Sequence, residues 1–326
     1  MEQRPLGETD LKVQPVMFGA WAIGGWFWGE TDDDKAVQAL HASVDAGIQW
    51  VDTAPIYGFG HSERVIGTAL KGRDVRIATK CGLRWDDDKG EHFFRTKAAR
   101  LGPVNVQRNL RPESVRLECE RSLSRLGVEV IDLYQCHWPD STTPIAETMG
   151  ELLRLRDEGK IRAIGVSNFD VQQLEEARRA LGSVPLASDQ PRYNALDRAI
   201  EADVLPWCHE RGVSTLVYSP LEQGLLTGKV SLDRVFPEGD RRGELPAFRR
   251  DNRARVLTAL AALEDIRASK SCTFAQLAIA WTVAQPGVTA AIVGARDGRQ
   301  AAENARGAEL RLKPDELARM SHALEL

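Results

Sequence analysis

Apolar positions along the chain fall into short runs separated by longer amphipathic stretches. Residues 3–6 and 11–16, parted by Gly7-Glu8-Thr9-Asp10, predict a short hairpin. Residues 16–21 predict a first strand, and a regular alternation follows. Thr31 is placed to cap a helix with apolar positions Val37, Leu40 and Val44, closed by Gly47. The run 48–51 ends at Asp52, and Ser62 is placed to cap a helix through Val65, Ile66 and Leu70 to Gly72. Arg76-Ile77-Ala78-Thr79 ends at Lys80. Residues 81–110 then interrupt the rhythm with a long polar connection, of the kind that is functional or disordered. Pro112 opens a helix that stops at Gly127. The run 131–136 ends at His137, and Thr143-Pro144 opens a helix that Gly159 stops.

The second half repeats the unit. Residues 162–166 deliver Ser167-Asn168, and Asp170 with Gln173 has the spacing of a capping box. Residues 186–189 run into Gln190, with a helix ending near Gly212. Residues 214–217 run into Tyr218-Ser219-Pro220. A charged insertion, 228–256, precedes two helices, the second capped by Thr273 with Gln276. Residues 290–293 form the last strand, followed by Gly294-Ala295-Arg296 and a helix through Asn304. Eight strand candidates alternating with helices imply a parallel sheet. In 326 residues they fit one domain, a closed (β/α)₈ TIM barrel with a short N-terminal β-hairpin. An open dinucleotide-binding sheet would need a third glycine after Gly58-Phe59-Gly60, where Glu63 stands instead.

Composition narrows the function. A net charge of −4 argues against a general nucleic-acid binder. No apolar run approaches the ~20 residues that span a bilayer, and Met1-Glu2-Gln3-Arg4-Pro5 is no signal peptide, so the chain reads as cytoplasmic. The cysteines (Cys81, Cys119, Cys136, Cys208, Cys272) have the spacing of neither a disulfide framework nor a zinc site, and no metal is expected. Cys119 shares an apolar helix face with Val115, Leu123 and Leu126 and reads as core.

Candidate chemistry gathers at strand ends, where parallel barrels place it. Asp52, Lys80 and His137 each terminate a run, and Tyr57 follows Asp52 after a short turn. An ammonium near a phenol lowers its pKa from the ordinary ~10, and a carboxylate holds the ammonium in place. With His137 to orient a carbonyl, these are the parts of a proton donor. The bland reading is an Asp52–Lys80 ion pair plugging the barrel end and a satisfied buried His137. Asp32-Asp33-Asp34 reads as first-turn helix charge, and Arg241-Arg242 and Arg249-Arg250 as a solvated insertion, with the border of a cofactor site as the alternative because Lys229 lies just before them. Trp21, Trp26, Phe27, Trp28, Trp85 and Trp138 form an aromatic set that either lines an apolar pocket or packs the rim.

Over its whole length the chain resembles an aldo-keto reductase. The resemblance rests on Phe18-Gly19-Ala20-Trp21, Asp52-Thr53-Ala54-Pro55-Ile56-Tyr57-Gly58, Ala78-Thr79-Lys80 and Tyr134-Gln135-Cys136-His137-Trp138. Ile164-Gly165-Val166-Ser167-Asn168-Phe169, Tyr218-Ser219-Pro220-Leu221, Gly224-Leu225-Leu226-Thr227-Gly228-Lys229 and Gly294-Ala295-Arg296 add to it in the right order. Trp21-Ala22-Ile23-Gly24-Gly25-Trp26 and Tyr57-Gly58-Phe59-Gly60-His61-Ser62-Glu63 are most similar to the bacterial general-stress branch. The resemblance implies reversible NADP(H)-linked reduction of a small carbonyl substrate, with Asp52, Tyr57, Lys80 and His137 as catalytic tetrad and Tyr57 as general acid. It implies that Ser167, Asn168 and Gln190 hold the carboxamide and Tyr218 stacks on the nicotinamide. Ala20, Trp21 and Asp52 would border the cofactor. Ser219, Pro220, Leu221, Gln223 and Lys229, with Gly294, Arg296, Gln300, Glu303 and Asn304, would hold its pyrophosphate and adenosine. Where some relatives have a basic residue this chain has Gln300, which leaves Arg296 for a 2′-phosphate. The alternative is a cofactor-binding regulatory subunit, like the channel-associated β subunits of the same fold.

Overall fold

The computed structural model describes residues 1–25, 28, 32–98, 102–237 and 239–326. A two-stranded antiparallel ribbon, β1 (Arg4–Pro5) and β2 (Lys12–Val13), opens the chain. Then come β3 (Val16–Gly19), α1 (Asp33–Asp45), β4 (Trp50–Asp52), α2 (His61–Ala69) and β5 (Arg76–Cys81). A three-stranded antiparallel sheet, β6 (Leu83–Arg84), β7 (Glu91–Ala98) and β8 (Gly102–Arg108), precedes α3 (Pro112–Leu126). Alternation resumes with β9 (Ile131–Cys136), α4 (Ile145–Asp157), β10 (Ile161–Ser167), α5 (Val171–Leu181), β11 (Leu186–Gln190), α6 (Val204–Glu210) and β12 (Ser214–Tyr218). The chain ends with α7 (Arg250–Ala261), α8 (Glu264–Ser269), α9 (Phe274–Ala284), β13 (Val288–Gly294), α10 (Gly298–Gly307) and α11 (Pro314–Ala323).

Strands β3, β4, β5, β9, β10, β11, β12 and β13 close a parallel barrel, β13 pairing back onto β3. Every strand contributes to the apolar filling of its interior: Met17, Trp50, Ala78, Leu133, Ala163, Ala187, Leu216, and Ala290 with Ile292. The small alanines leave room for Trp50, whose Nε1 donates to the Lys12 carbonyl at 2.8 Å. Leu6, Leu11 and Val13 of the ribbon complete the cluster, so the hairpin is a plug for one barrel end. Its turn presses closely there: Gly7 has φ +57°, and a Cβ would lie 2.6 Å from the Ala187 carbonyl oxygen. Outward residues such as Val16, Val51, Ile77, Ile131 and Ile164 join the helices in the larger core.

Local signals behave as the sequence predicts at several helix ends. Both capping boxes, Asp170–Gln173 and Thr273–Gln276, are present. Pro112 is in the first turn of α3, and Gly127 ends it at φ +66°. Four expectations need correction. Thr31 lies outside the described residues, and Asp32 caps α1 by accepting from the Lys35 amide. Ser62 does not cap α2, whose N-cap is Gly60; its hydroxyl is 2.9 Å from Thr53 Oγ1 and donates to the Ala20 carbonyl instead. The 81–110 connection is largely the β6–β8 sheet, its alternation masked by polar residues such as His92, Arg95, Asn105 and Gln107 among the apolar ones. The 228–256 insertion is short 3₁₀ turns whose last residues already belong to α7. Among the described residues no helix is long and apolar enough to cross a membrane.

Candidate active site

At the C-terminal mouth of the barrel lies a cavity of about 610 Å³. Asp52 ends β4, and Thr53-Ala54-Pro55-Ile56 turns tightly enough to bring Tyr57 back over it. The turn is held by close backbone packing: a Cβ on Gly24 would lie 2.5 Å from the Tyr57 carbonyl carbon. Lys80, near the end of β5, is fully buried beneath the cavity rather than in its wall. Its Nζ donates to Asp52 Oδ1 at 2.6 Å and to the Thr53 carbonyl at 2.9 Å, and lies 5.2 Å from the Tyr57 ring centroid. His137 follows β9 and meets Tyr57 edge to face, ring centroids 5.8 Å apart. Asp52 and Tyr57 from the end of β4, Lys80 from β5 and His137 from the end of β9 therefore converge.

The second oxygen of Asp52 is also occupied. Gln190 Nε2 donates to Oδ2 at 2.8 Å and Gln135 Nε2 at 3.4 Å, so two uncharged amides and an ammonium balance the buried carboxylate. Nothing in the sequence marks Gln135 for this role: it stands in a run, Ile131–Cys136, that already carries the polar Asp132.

Burial sets the protonation states. It drives the Tyr57 phenol well above its usual range, with Asp52 and then Tyr218 adding to the effect. The lowering expected from Lys80 is outweighed here, because burial and the charge of Asp52 both act the other way. Burial lowers the Lys80 pKa, while Asp52 and Glu63 oppose the shift. Burial, and secondarily the charge of Lys80, holds His137 well below its ordinary value, so its imidazole is neutral. The result is a protonated phenol beside a neutral imidazole: one acid and one uncharged hydrogen-bond donor.

The rest of the cavity runs away from this corner across the barrel mouth. Asn168, left-handed at φ +61°, links its walls: its Nδ2 donates to the His137 carbonyl at 3.1 Å and to Ser167 Oγ at 3.0 Å, and its Oδ1 accepts from Tyr218 OH at 2.9 Å. Ser167 Oγ donates to the Gln190 carbonyl at 2.7 Å. Tyr218, its pKa raised to about 12 by burial, presents a ring to the cavity. Beyond it Ser219, Glu222, Gln223 and Gly224 all have positive φ, in a tight turn whose Glu222 and Gly224 amides donate to the Ser219 and Leu221 carbonyls. Arg192 Nη2, at 2.5 Å, and Asn194 Nδ2, at 2.7 Å, hold the buried Glu222 carboxylate behind that turn. At the far end Gln300 Oε1 accepts from the Arg296 amide, and Asn304 Nδ2 donates to the Gly294 carbonyl. Gln300 and Asn304 thus shape the turn that carries Arg296, whose side chain is exposed and in no ion pair among the described residues.

Of the residues expected around a cofactor, Trp21, Asp52, Ser167, Asn168, Gln190, Tyr218, Ser219, Pro220, Leu221, Gln223, Lys229, Gly294, Arg296, Gln300, Glu303 and Asn304 line this cavity. Ala20 does not: it is buried behind the wall, its carbonyl taken by Ser62. Glu303 accepts from Thr273 Oγ1 at 2.7 Å, with Lys229 Nζ at 3.7 Å, and so anchors α9 to α10. Trp21, Trp28 and Trp138 line the cavity, whereas Trp85 packs against Phe59 at the rim; Trp26 and Phe27 lie outside the described residues. Leu83, Phe93 and Phe94, from the sheet the sequence hid, add to the apolar wall. Arg242 is not solvated as expected: it stacks 5.1 Å from Trp28 and 5.2 Å from Phe236 and pairs with Asp240 at 2.6 Å.

A flat aromatic face, amide-matched polar groups, a positive-φ turn and an exposed terminal cation together fit a dinucleotide laid across the mouth. The comparisons agree. The sequence profile of the Aldo/keto reductase family matches residues 15–325. The chain is 38% identical over its full length to the full-length NADH-specific methylglyoxal reductase of Escherichia coli (strain K12). It is 39% identical to aldo-keto reductase YhdN of Bacillus subtilis (strain 168), over 91% of this chain and 85% of that protein. The solved structure of glycerol dehydrogenase AKR11B4 from Gluconobacter oxydans superposes with a TM-score of 0.87 at 39% identity, covering 99% of this chain and 94% of that one. By its profile, its relatives and its barrel, this chain belongs to the aldo/keto reductase family of nicotinamide-dependent oxidoreductases.

Proposed function

We propose that the protein is a reversible, NADP(H)-dependent reductase of small aldehydes and ketones, with Tyr57 as general acid. The observation that carries this reading is the convergence of Asp52, Tyr57, Lys80 and His137 on one end of a cavity whose other end is lined by the turn at Ser219–Gly224 and by Arg296. Tyr218, Ser167, Asn168 and Gln190 would hold the nicotinamide end, and the turn at Ser219–Gly224 the pyrophosphate. A bound nicotinamide supplies a hydride to the carbonyl carbon. The protein's part is then to deliver a proton to the carbonyl oxygen. Tyr57 holds that proton at neutral pH, His137 donates a hydrogen bond without carrying charge, and Lys80 stabilises the phenolate left behind. Trp21, Trp138 and Phe93 keep water from the reacting corner. Free, buried cysteines suit the reducing cytoplasm we assign to it.

Tyr57→Phe tests the reading. Turnover should fall by about 10²-fold or more while dinucleotide affinity stays within about twofold. Initial rates on a panel containing methylglyoxal, glyceraldehyde and an aromatic aldehyde, with glycerol for the reverse reaction, measure both turnover and substrate range. Full turnover in the variant removes Tyr57 from the chemistry. No turnover in the unmodified protein with any substrate, alongside tight dinucleotide binding, would favour the regulatory-subunit alternative.

A further inference from the structure

Glu63 is fully buried on α2, in the Gly60-His61-Ser62-Glu63 stretch, and the proposed chemistry does not use it. Its carboxylate is fully engaged: Oε1 accepts from Thr79 Oγ1 at 2.8 Å and Oε2 from Arg125 Nε at 2.5 Å. Thr79 immediately precedes Lys80. One residue earlier on α2, Ser62 Oγ is 2.9 Å from Thr53 Oγ1, and Thr53 lends its carbonyl to Lys80 Nζ at 2.9 Å. Two adjacent residues of one helix thus reach both strands that frame the ammonium, while Arg125 ties the helix to α3. Ser62, Thr53 and Thr79 are all buried, so none of these bonds is shared with bulk water.

We propose that Glu63 is a positioning residue for the proton-donating corner: through Thr79 and Arg125 it fixes the Lys80 ammonium against Asp52 and beneath Tyr57. Packing of α2 onto the barrel alone would have needed only apolar burial, which Val65 and Ile66 of the same helix already provide in the core. A buried carboxylate with both oxygens committed is a costlier device, which positional demand explains. The charged and titratable groups facing Lys80 are Asp52 from β4, Tyr57 and His137 from the mouth, and Glu63 from α2. Arg125 faces Glu63 from the opposite side. The negative charge of Glu63 favours the protonated lysine.

The inference rests on the catalytic reading above, so Tyr57→Phe is run beside Glu63→Gln and Thr79→Val. Glu63→Gln keeps the shape and removes the charge. Its kcat for carbonyl reduction should fall about tenfold, with KM and dinucleotide Kd within about twofold of wild type. The high-pH decline of the reduction rate should begin at lower pH, because the lysine loses its proton more readily. Thr79→Val, isosteric and uncharged, should show a smaller kcat loss at unchanged KM. Wild-type kcat and an unmoved pH limb in Glu63→Gln, with Tyr57→Phe inactive, overturn the inference and leave the catalytic reading standing. Activity surviving in Tyr57→Phe overturns the reading itself. Should Glu63→Gln not fold, Thr79→Val decides alone, and an unchanged kcat there overturns the proposal.

Discussion

Tyr57 keeps its proton because burial and the neighbouring Asp52 both oppose a phenolate. Lys80, 2.6 Å from Asp52, cannot offset that alone. Such a group suits reduction, where it gives a proton away, and makes oxidation an alkaline reaction. At the other end of the cavity, the proposed preference for NADP(H) would rest on Arg296. The Escherichia coli relative is named for NADH, whereas an exposed guanidinium with no ion pair among the described residues is suited to a 2′-phosphate. Arg296→Ala should weaken NADPH binding by about ten- to a hundredfold and leave NADH nearly unchanged. Titration of both dinucleotides by tryptophan quenching measures it, and equal NADPH affinity in the two proteins would remove Arg296 from the site.

The elements matter through what each strand end delivers. β11 brings Gln190 to Asp52, but the residue before it, Asp189, is fully buried, and neither oxygen meets a donor at hydrogen-bonding geometry. Burial raises its pKa to about 8, partly offset by the nearby Gln190 and Phe169 amides. The folded protein therefore holds a proton that the unfolded chain, near pKa 3.8, releases. This raised value gives a contribution to stability that is full below about pH 4 and lost progressively up to about pH 8. Asp189→Asn should raise Tm, and by more at about pH 8.5 than at about pH 5. A pH-independent difference in thermal scans would contradict that account. The β6–β8 sheet shows the complementary case: polar residues mixed among the apolar ones hid its period, yet it supplies Phe93 and Phe94 to the cavity wall.

On the scale of the molecule, the segment after β12 crosses the mouth to reach the loop after β3. Trp28 and Asp240 form an isolated antiparallel bridge, and Arg242, paired with Asp240, lies on the Trp28 ring. A desolvated cation–aromatic contact is worth up to about 2 kcal/mol, so this bridge can govern how fast a dinucleotide leaves. Arg242→Ala should speed NADPH release by about tenfold with little change in the chemical step. Stopped-flow fluorescence on chasing bound NADPH reads it directly, and an unchanged off-rate would mean that the crossing is not a barrier to release.

The barrel itself was legible in the chain, because eight apolar runs alternating with amphipathic ones have few other ways to bury both faces of a sheet. Local interactions were legible for the same reason: the capping boxes at Asp170 and Thr273 lie within four residues. Even the four strand-end residues could be named, since each stands at a visible break in pattern. What surrounds them could not. Gln135 and Gln190 share the second oxygen of Asp52 from 83 and 138 residues away, and Glu63 meets Arg125 across 62. Nothing along the chain marks a glutamine in an apolar run, or a glutamate near a helix start, as belonging to a buried network. Sequence sets periods and ends; barrel closure brings distant polar groups into one low-dielectric volume, and that decides which side chains must pair, which protons are held and where the ammonium sits.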